Sequence, residues 1–147
     1  RIRTFGRHAL PHKDAYEILR WCRESGYYTA LITNGGAEMQ NTKLDALNIR
    51  EYFDCIIISG EFGVHKPDRS LFDAAAAKLG VDNAECIFIG DTPVDDMQGA
   101  RGAGMKTVFI ITKNHYTVTP QYDYAVNDLS ELFALLPRVA AKMKEAD

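Results

Sequence analysis

Two rhythms alternate along the chain. Residues 12–25 (HKDAYEILRWCRES) set Ala15, Ile18, Leu19 and Cys22 at helical intervals, and Gly26 follows as a stop. Residues 27–33 (YYTALIT) then read as a strand, ended by Asn34-Gly35-Gly36. A helical stretch over 37–48 leads to a second strand at 54–59 (DCIIIS), whose continuous apolar run predicts burial on both faces. Residues 68–79 (DRSLFDAAAAKL) predict a helix with Asp68 as N-cap and Gly80 at the stop. A third strand is expected at 85–90, a helix opening at Pro93 over 93–103, and a fourth strand at 105–111. Residues 122–126 suggest a short fifth strand, and the tail from Asp128 is helical with a break expected at Pro137.

Four strand–helix alternations predict an α/β fold, a three-layer Rossmann-like parallel sheet with helices on both faces. In such sheets ligands bind outside the carboxyl ends of the strands. The polar residues that immediately follow each strand are therefore the candidates for function.

After the first strand come Thr33, Asn34 and Gly35. A hydroxyl and backbone N–H groups beside a helix start suit an anion, although TNGG is equally a simple turn with Thr33 as a cap. After the second strand the chain reads SGEFGVHKPD. The proline restricts Lys66 to extended geometry and aims its ammonium. A held ammonium can clamp a phosphate; the alternative is a solvated surface lysine. After the third strand, GDTPVDD places Asp91, Asp95 and Asp96 within six positions. Clustered hard oxygen ligands suit Mg²⁺, with Asp91 leaving the strand directly and Asp95 or Asp96 as the second ligand. Helix capping is the competing role, but three carboxylates exceed what a cap requires.

Composition narrows these options. With 147 residues, 46% hydrophobic and 25% charged, the chain is one ordinary globular domain that can bury roughly 70% of its unfolded surface. A net charge of −3 gives no reason to expect nucleic acid or an anionic membrane as partner. No apolar run approaches the ~20 residues of a membrane span. No signal peptide is visible, and Cys22, Cys55 and Cys86 form no CxxC pair, so a cytoplasmic location with buried thiols is expected. His8, His12, His65 and His115 lack metal-ligand spacing, and no P-loop, GxGxxG or GxSxG pattern occurs.

The order and spacing of LITNGG, GVHKPDRSLF and IFIGDTPVDDMQGARGAGMKTVFI, taken together, resemble the haloacid dehalogenase (HAD) superfamily in its phosphatase branch. The resemblance runs from about residue 10 to residue 135. It implies that Thr33 is the phosphate-binding hydroxyl and Lys66 the third-motif lysine. It also implies that Asp91 with Asp95 or Asp96 serves Mg²⁺. Asn34 and Gly35 would join Thr33 and Lys66 around the substrate. The family's first motif, a strand followed by DxDx[TV] that carries the nucleophile and the acid/base, has no counterpart: no Asp-x-Asp pair occurs in the chain.

In the family that strand lies centrally, between the strands expected at 27–33 and 85–90, and a helical cap is often inserted after it. Residues 1–10 are accordingly expected to be the exit from such a cap, and 11–147 the C-terminal portion of a core domain. The natural protein is expected to be longer, and this portion alone is expected to be inactive and to self-associate through the vacant strand position. The implied function is a Mg²⁺-dependent phosphatase of a small phosphorylated metabolite, such as a nucleotide or sugar phosphate, working through an aspartyl-phosphate. The alternatives are a metal-free 2-haloacid dehalogenase, which the acidic cluster argues against, and a non-catalytic truncated or regulatory chain, which the absent nucleophile favours. A flavodoxin-like or response-regulator domain fits the HKPD loop poorly.

Overall fold

Six stretches rich in β-branched and aromatic residues form one parallel sheet: β1 (Arg3–Gly6), β2 (Tyr28–Thr33), β3 (Cys55–Ile58), β4 (Cys86–Gly90), β5 (Lys106–Ile110) and β6 (Tyr124–Val126). Their order across the sheet is β3-β2-β1-β4-β5-β6. The computed structural model describes residues 3–6 and 13–145, the first four and Lys13 by their backbone. His8 and His12, and residues 7–10 of the expected cap exit, lie outside the described residues.

The helices are α1 (Lys13–Glu24), α2 (Ala37–Leu47), the single turn α3 (Ser59–Phe62), α4 (Arg69–Leu79), α5 (Gly99–Gly102) and α6 (Leu132–Glu145). Strand alternation sends neighbouring residues to opposite cores. Ala30, Ile32 and Phe88 pack with Leu71, Phe72 and Ala75 of α4 and Ala100 of α5. Ile87, Ile89 and Val108 pack on the other face with Ile18 and Cys22 of α1 and Leu136 and Val139 of α6. Leu31 and Ile58 meet Leu44 of α2 in a third cluster. The expected three-layer α/β architecture is therefore the one observed. All three cysteines are buried thiols, and burial pushes the Cys55 thiol above its ordinary pKa. Among the described residues no helix is long and apolar enough to cross a membrane.

Three expectations need correction. The strand position between β2 and β4 is not vacant. Arg3–Gly6 pairs in parallel with both neighbours, Phe5 opposite Ala30 on one side and Phe88 on the other. The edges of β2 and β4 are buried and apolar, and any short extended segment that satisfies their backbone groups is favoured there. Next, Pro137 does not break the last helix, which continues through it. One hydrogen bond is lost, but burial of Leu132, Leu136, Val139 and Ala140 holds the helix against the sheet. Finally, residues 93–103 are not one regular helix. Pro93–Gln98 is a π-helical turn, with Met97 N–H donating to the Thr92 carbonyl at 3.1 Å, and only Gly99–Gly102 is α-helical.

Pairing on both sides predicts slow amide exchange for residues 4–6, comparable with β2 and far slower than in the 111–123 connection. Hydrogen–deuterium exchange read by mass spectrometry checks this. Exchange at 4–6 as fast as in that connection would show that β1 does not hold the slot.

Candidate active site

The exits of β2, β3 and β4 meet at one edge of the sheet, and a single hydrogen-bonded network joins them. Thr33 is the last residue of β2 and is buried. Asn34, half-buried, follows it and clamps the backbone of Lys66. Its Nδ2 donates to the Lys66 carbonyl at 3.2 Å, and the Lys66 N–H donates to Asn34 Oδ1 at 2.8 Å. The Asn34 Nδ2 also reaches Asp95 Oδ2 at 3.4 Å. Lys66 is thus fixed at its backbone by a residue 32 positions earlier, and its Nζ donates to Asp96 Oδ1 at 2.6 Å. The side chains of that pair are 5% and 1% exposed. The ammonium also lies 5.7 Å from the centroid of the Phe88 ring.

The π-helical turn explains how Asp96 comes to be buried. The wider turn carries both Asp96 and the adjacent Met97 inward, whereas Gln98 stays exposed. Thr92 and Asp96 cap each other: Asp96 N–H donates to Thr92 Oγ1 at 3.0 Å, and Thr92 N–H donates to Asp96 Oδ2 at 3.2 Å. The Asp91 N–H donates to the same Asp96 oxygen at 3.1 Å. Gly90 makes room for this, since a Cβ there would come within 2.5 Å of Asp96 Oδ2. Gly99 likewise admits the Phe72 ring, which a Cβ would meet at 2.8 Å, and so lets α5 close on α4 and on the loop that carries Lys66.

The network separates the three expected carboxylates. Asp96 is committed to Lys66 through one oxygen and to two amides through the other. Asp91 is buried at the strand exit and Asp95 is half-buried beside Asn34. Mg²⁺ takes one or two carboxylates and completes its octahedron with water and substrate oxygen. Asp91 and Asp95 fit that demand, although among the described residues no three His, Cys, Asp or Glu side chains converge as a protein-only cage. Gly35 differs from expectation in one respect. Its N–H is not bare but donates to Ser59 Oγ at 2.8 Å. His65 and His115 are exposed and join none of these contacts.

Two residues of the network escaped the sequence reading. Gln40 of α2 is buried, donates from Nε2 to the Asn34 carbonyl at 3.0 Å, and leaves Oε1 with no hydrogen-bond partner. Ser59 of α3 holds Gly35. Neither belongs to a recognisable spacing; both act on the backbone of the β2 exit. Outside the network, Asp68 caps α4 as expected, and its hydrogen bonds from the Ser70 hydroxyl and N–H hold its carboxyl below the usual Asp range.

The exits of β2, β3 and β4 thus gather a buried threonine, a buried lysine and three aspartates at one edge of a parallel sheet covered by helices on both faces. The sequence profile of the haloacid dehalogenase-like hydrolases matches residues 2–104, and the chain belongs to that family. It is 37% identical over 118 residues to the glyceraldehyde 3-phosphate phosphatase of Methanopyrus kandleri, covering 80% of this chain and 51% of that protein. It is 35% identical over 125 residues to the phosphoserine phosphatase of Thermus thermophilus, covering 83% and 49%. The crystal structure of a HAD phosphatase from Thermococcus onnurineus superposes with a TM-score of 0.76 at 30% identity, covering 85% of this chain and 57% of that one. The chain thus spans about half the length of the curated relatives it matches.

Asp96→Ala should cost about 3–5 kcal/mol in urea unfolding, because it strands a buried ammonium, whereas Asp95→Ala should cost under about 1 kcal/mol. Equal losses would contradict the division of labour between the two. Because the Asp68 pKa is depressed in the fold, its contribution is present above the ordinary Asp value of about 3.9 and is lost as the pH falls through the lower folded value. Asp68→Asn should therefore lower Tm at pH 7 and flatten the acid limb of the stability profile. An acid limb identical to the parent's would refute this.

Proposed function

We propose that this chain supplies the phosphate- and metal-binding half of a Mg²⁺-dependent phosphatase that acts on a small phosphorylated metabolite. The nucleophilic aspartate of such an enzyme would come from outside these 147 residues, on a strand that would take the central slot Arg3–Gly6 fills here. The observation that carries this reading is the single network through which Asn34, Lys66, Asp96 and the Asp91 amide fix three strand exits against one another. Phosphatase relatives, among them the glyceraldehyde 3-phosphate and phosphoserine enzymes, support the reaction class.

Asp91 and Asp95 would hold Mg²⁺, whose charge, when it is bound, offsets that of the phosphate oxygens. Thr33 would donate its hydroxyl to one equatorial oxygen. Lys66 keeps two N–H donors after its bond to Asp96 and would present one to another oxygen. Transfer to an aspartate forms a carboxyl–phosphorus bond and releases the alcohol with a proton from an acid group. Water then cleaves the acyl phosphate and frees inorganic phosphate. The metal-free dehalogenase alternative has no use for Asp91 and Asp95 as ion ligands, whereas Asp96, paired with Lys66, would serve either reading. The non-catalytic alternative has one observation in its favour: the strand in the central slot, Arg3–Gly6, runs on in sequence to Arg7 and His8 rather than to carboxylates.

The 147-residue chain should bind inorganic phosphate only with Mg²⁺ present, without turning over p-nitrophenyl phosphate, and EDTA should abolish the binding. Thr33→Val should weaken it about two- to tenfold. Calorimetric titration measures both. Phosphate binding indifferent to EDTA would refute the metal, and no binding under any condition would favour the non-catalytic reading.

A further inference from the structure

We infer that the β5–β6 connection, residues 111–123, is a binding shelf for the organic portion of the phosphate ester, with Tyr116 and Val118 lining a shallow pocket together with Pro93, Val94 and Asp95. This rests on the phosphatase reading and adds which substrates it selects. Parallel neighbours such as β5 and β6 need a crossover, ordinarily a helix. Here 13 residues make it with neither helix nor strand. Structureless connections of that length inside a compact domain are uncommon and are mostly functional.

The connection is tied down at both ends. Ile111 N–H donates to the Val126 carbonyl at 2.8 Å, Asp123 accepts from the Thr107 N–H at 2.8 Å, and the Tyr122 ring stacks on Phe109 at 5.6 Å with 9° between planes. Its middle nevertheless exposes apolar groups: Tyr116 is 40% and Val118 45% exposed. Such exposure on a tethered segment marks a contact surface rather than a frayed end.

The pocket adjoins the network of strand exits through Asp95, which also accepts from Asn34 Nδ2 at 3.4 Å. Its lining is a phenol ring, two valines and a proline, with the Thr92 and Thr117 hydroxyls, one carboxylate and no cation. That chemistry accepts a neutral, flat or apolar group that can also hydrogen bond, such as an aromatic ring or a nucleobase. It repels a second phosphate or a carboxylate. Tyr116 and Val118 are specificity-determining residues on this view, and neither belongs to the hydrolytic machinery.

Three non-hydrolysable probes test this on the 147-residue chain with Mg²⁺: inorganic phosphate, methylphosphonate and phenylphosphonate, each titrated by calorimetry. Phenylphosphonate should bind about three- to tenfold tighter than methylphosphonate. Tyr116→Ala and Val118→Ser should erase that difference and leave methylphosphonate unchanged. Met39→Ser, at a still more exposed apolar position on α2, should change neither. If none of the probes binds, the phosphate site itself is refuted and the shelf with it. If both phosphonates bind equally, or Tyr116→Ala weakens them alike, the shelf fails while the phosphate site stands. A change of sedimentation coefficient on Tyr116→Ala, without an effect on phenylphosphonate, would assign the patch to self-association and overturn the inference.

Discussion

The candidate site depends on one buried ion pair, Lys66 with Asp96. Removing two charges from water costs several kcal/mol each, and their attraction repays it only where geometry is close and the remaining hydrogen-bonding capacity is used. Both conditions hold. The Nζ–Oδ1 distance is 2.6 Å, and the second Asp96 oxygen accepts from two amides at the β4 exit. The pair thereby ties the loop after β3 to the turn after β4, while Asn34 ties the same loop to the exit of β2. Three segments that are distant in sequence are held in register by three side chains, Asn34, Lys66 and Asp96. The glycines follow from this. Gly90 is small because Asp96 sits against it, and Gly99 because Phe72 and the Lys66 loop close on it.

The architecture was legible because its signals are local. The strand runs at 27–33, 54–59, 85–90 and 105–111 and the capped helix at 68–79 lie within a residue or so of β2, β3, β4, β5 and α4. So was the gathering of Thr33, Asn34, Lys66 and the acidic turn, since strand exits in a parallel sheet converge. The division between Asp95 and Asp96 was not legible. It depends on a π-helical turn, and nothing in PVDDMQ announces an i→i−5 pattern over an α-helix. Gln40 and Ser59 were hidden for a related reason: they act on backbone groups, and any polar side chain of suitable reach could do so. At Pro137 the propensity rule was clear and tertiary packing overrode it.

The central slot is a different kind of miss. Its edges lie on β2 and β4, strands whose residues are almost wholly buried, so leaving it empty would orphan backbone donors and acceptors on both sides. That demand concerns the backbone, and RTFG meets it with four residues. Occupying the slot is separable from carrying the nucleophile at its exit. Sequence motifs report the second property, whereas sheet pairing needs only the first.

Electrostatics link the fold to the proposed chemistry. At the strand exits three carboxylates, Asp91, Asp95 and Asp96, accompany one ammonium, Lys66, a formal excess of two negative charges. Lys66 is already paired, so it cannot by itself invite a dianionic phosphate into a partly dry site. A divalent cation on Asp91 and Asp95 would cancel that excess and let Thr33 and Lys66 serve as oriented donors. The same excess would make the proposed shelf beside Asp95 suit a neutral group: its lining holds no cation that could balance a second anion. On the proposed reading, selection would be a matter of charge first and of the Tyr116 surface second.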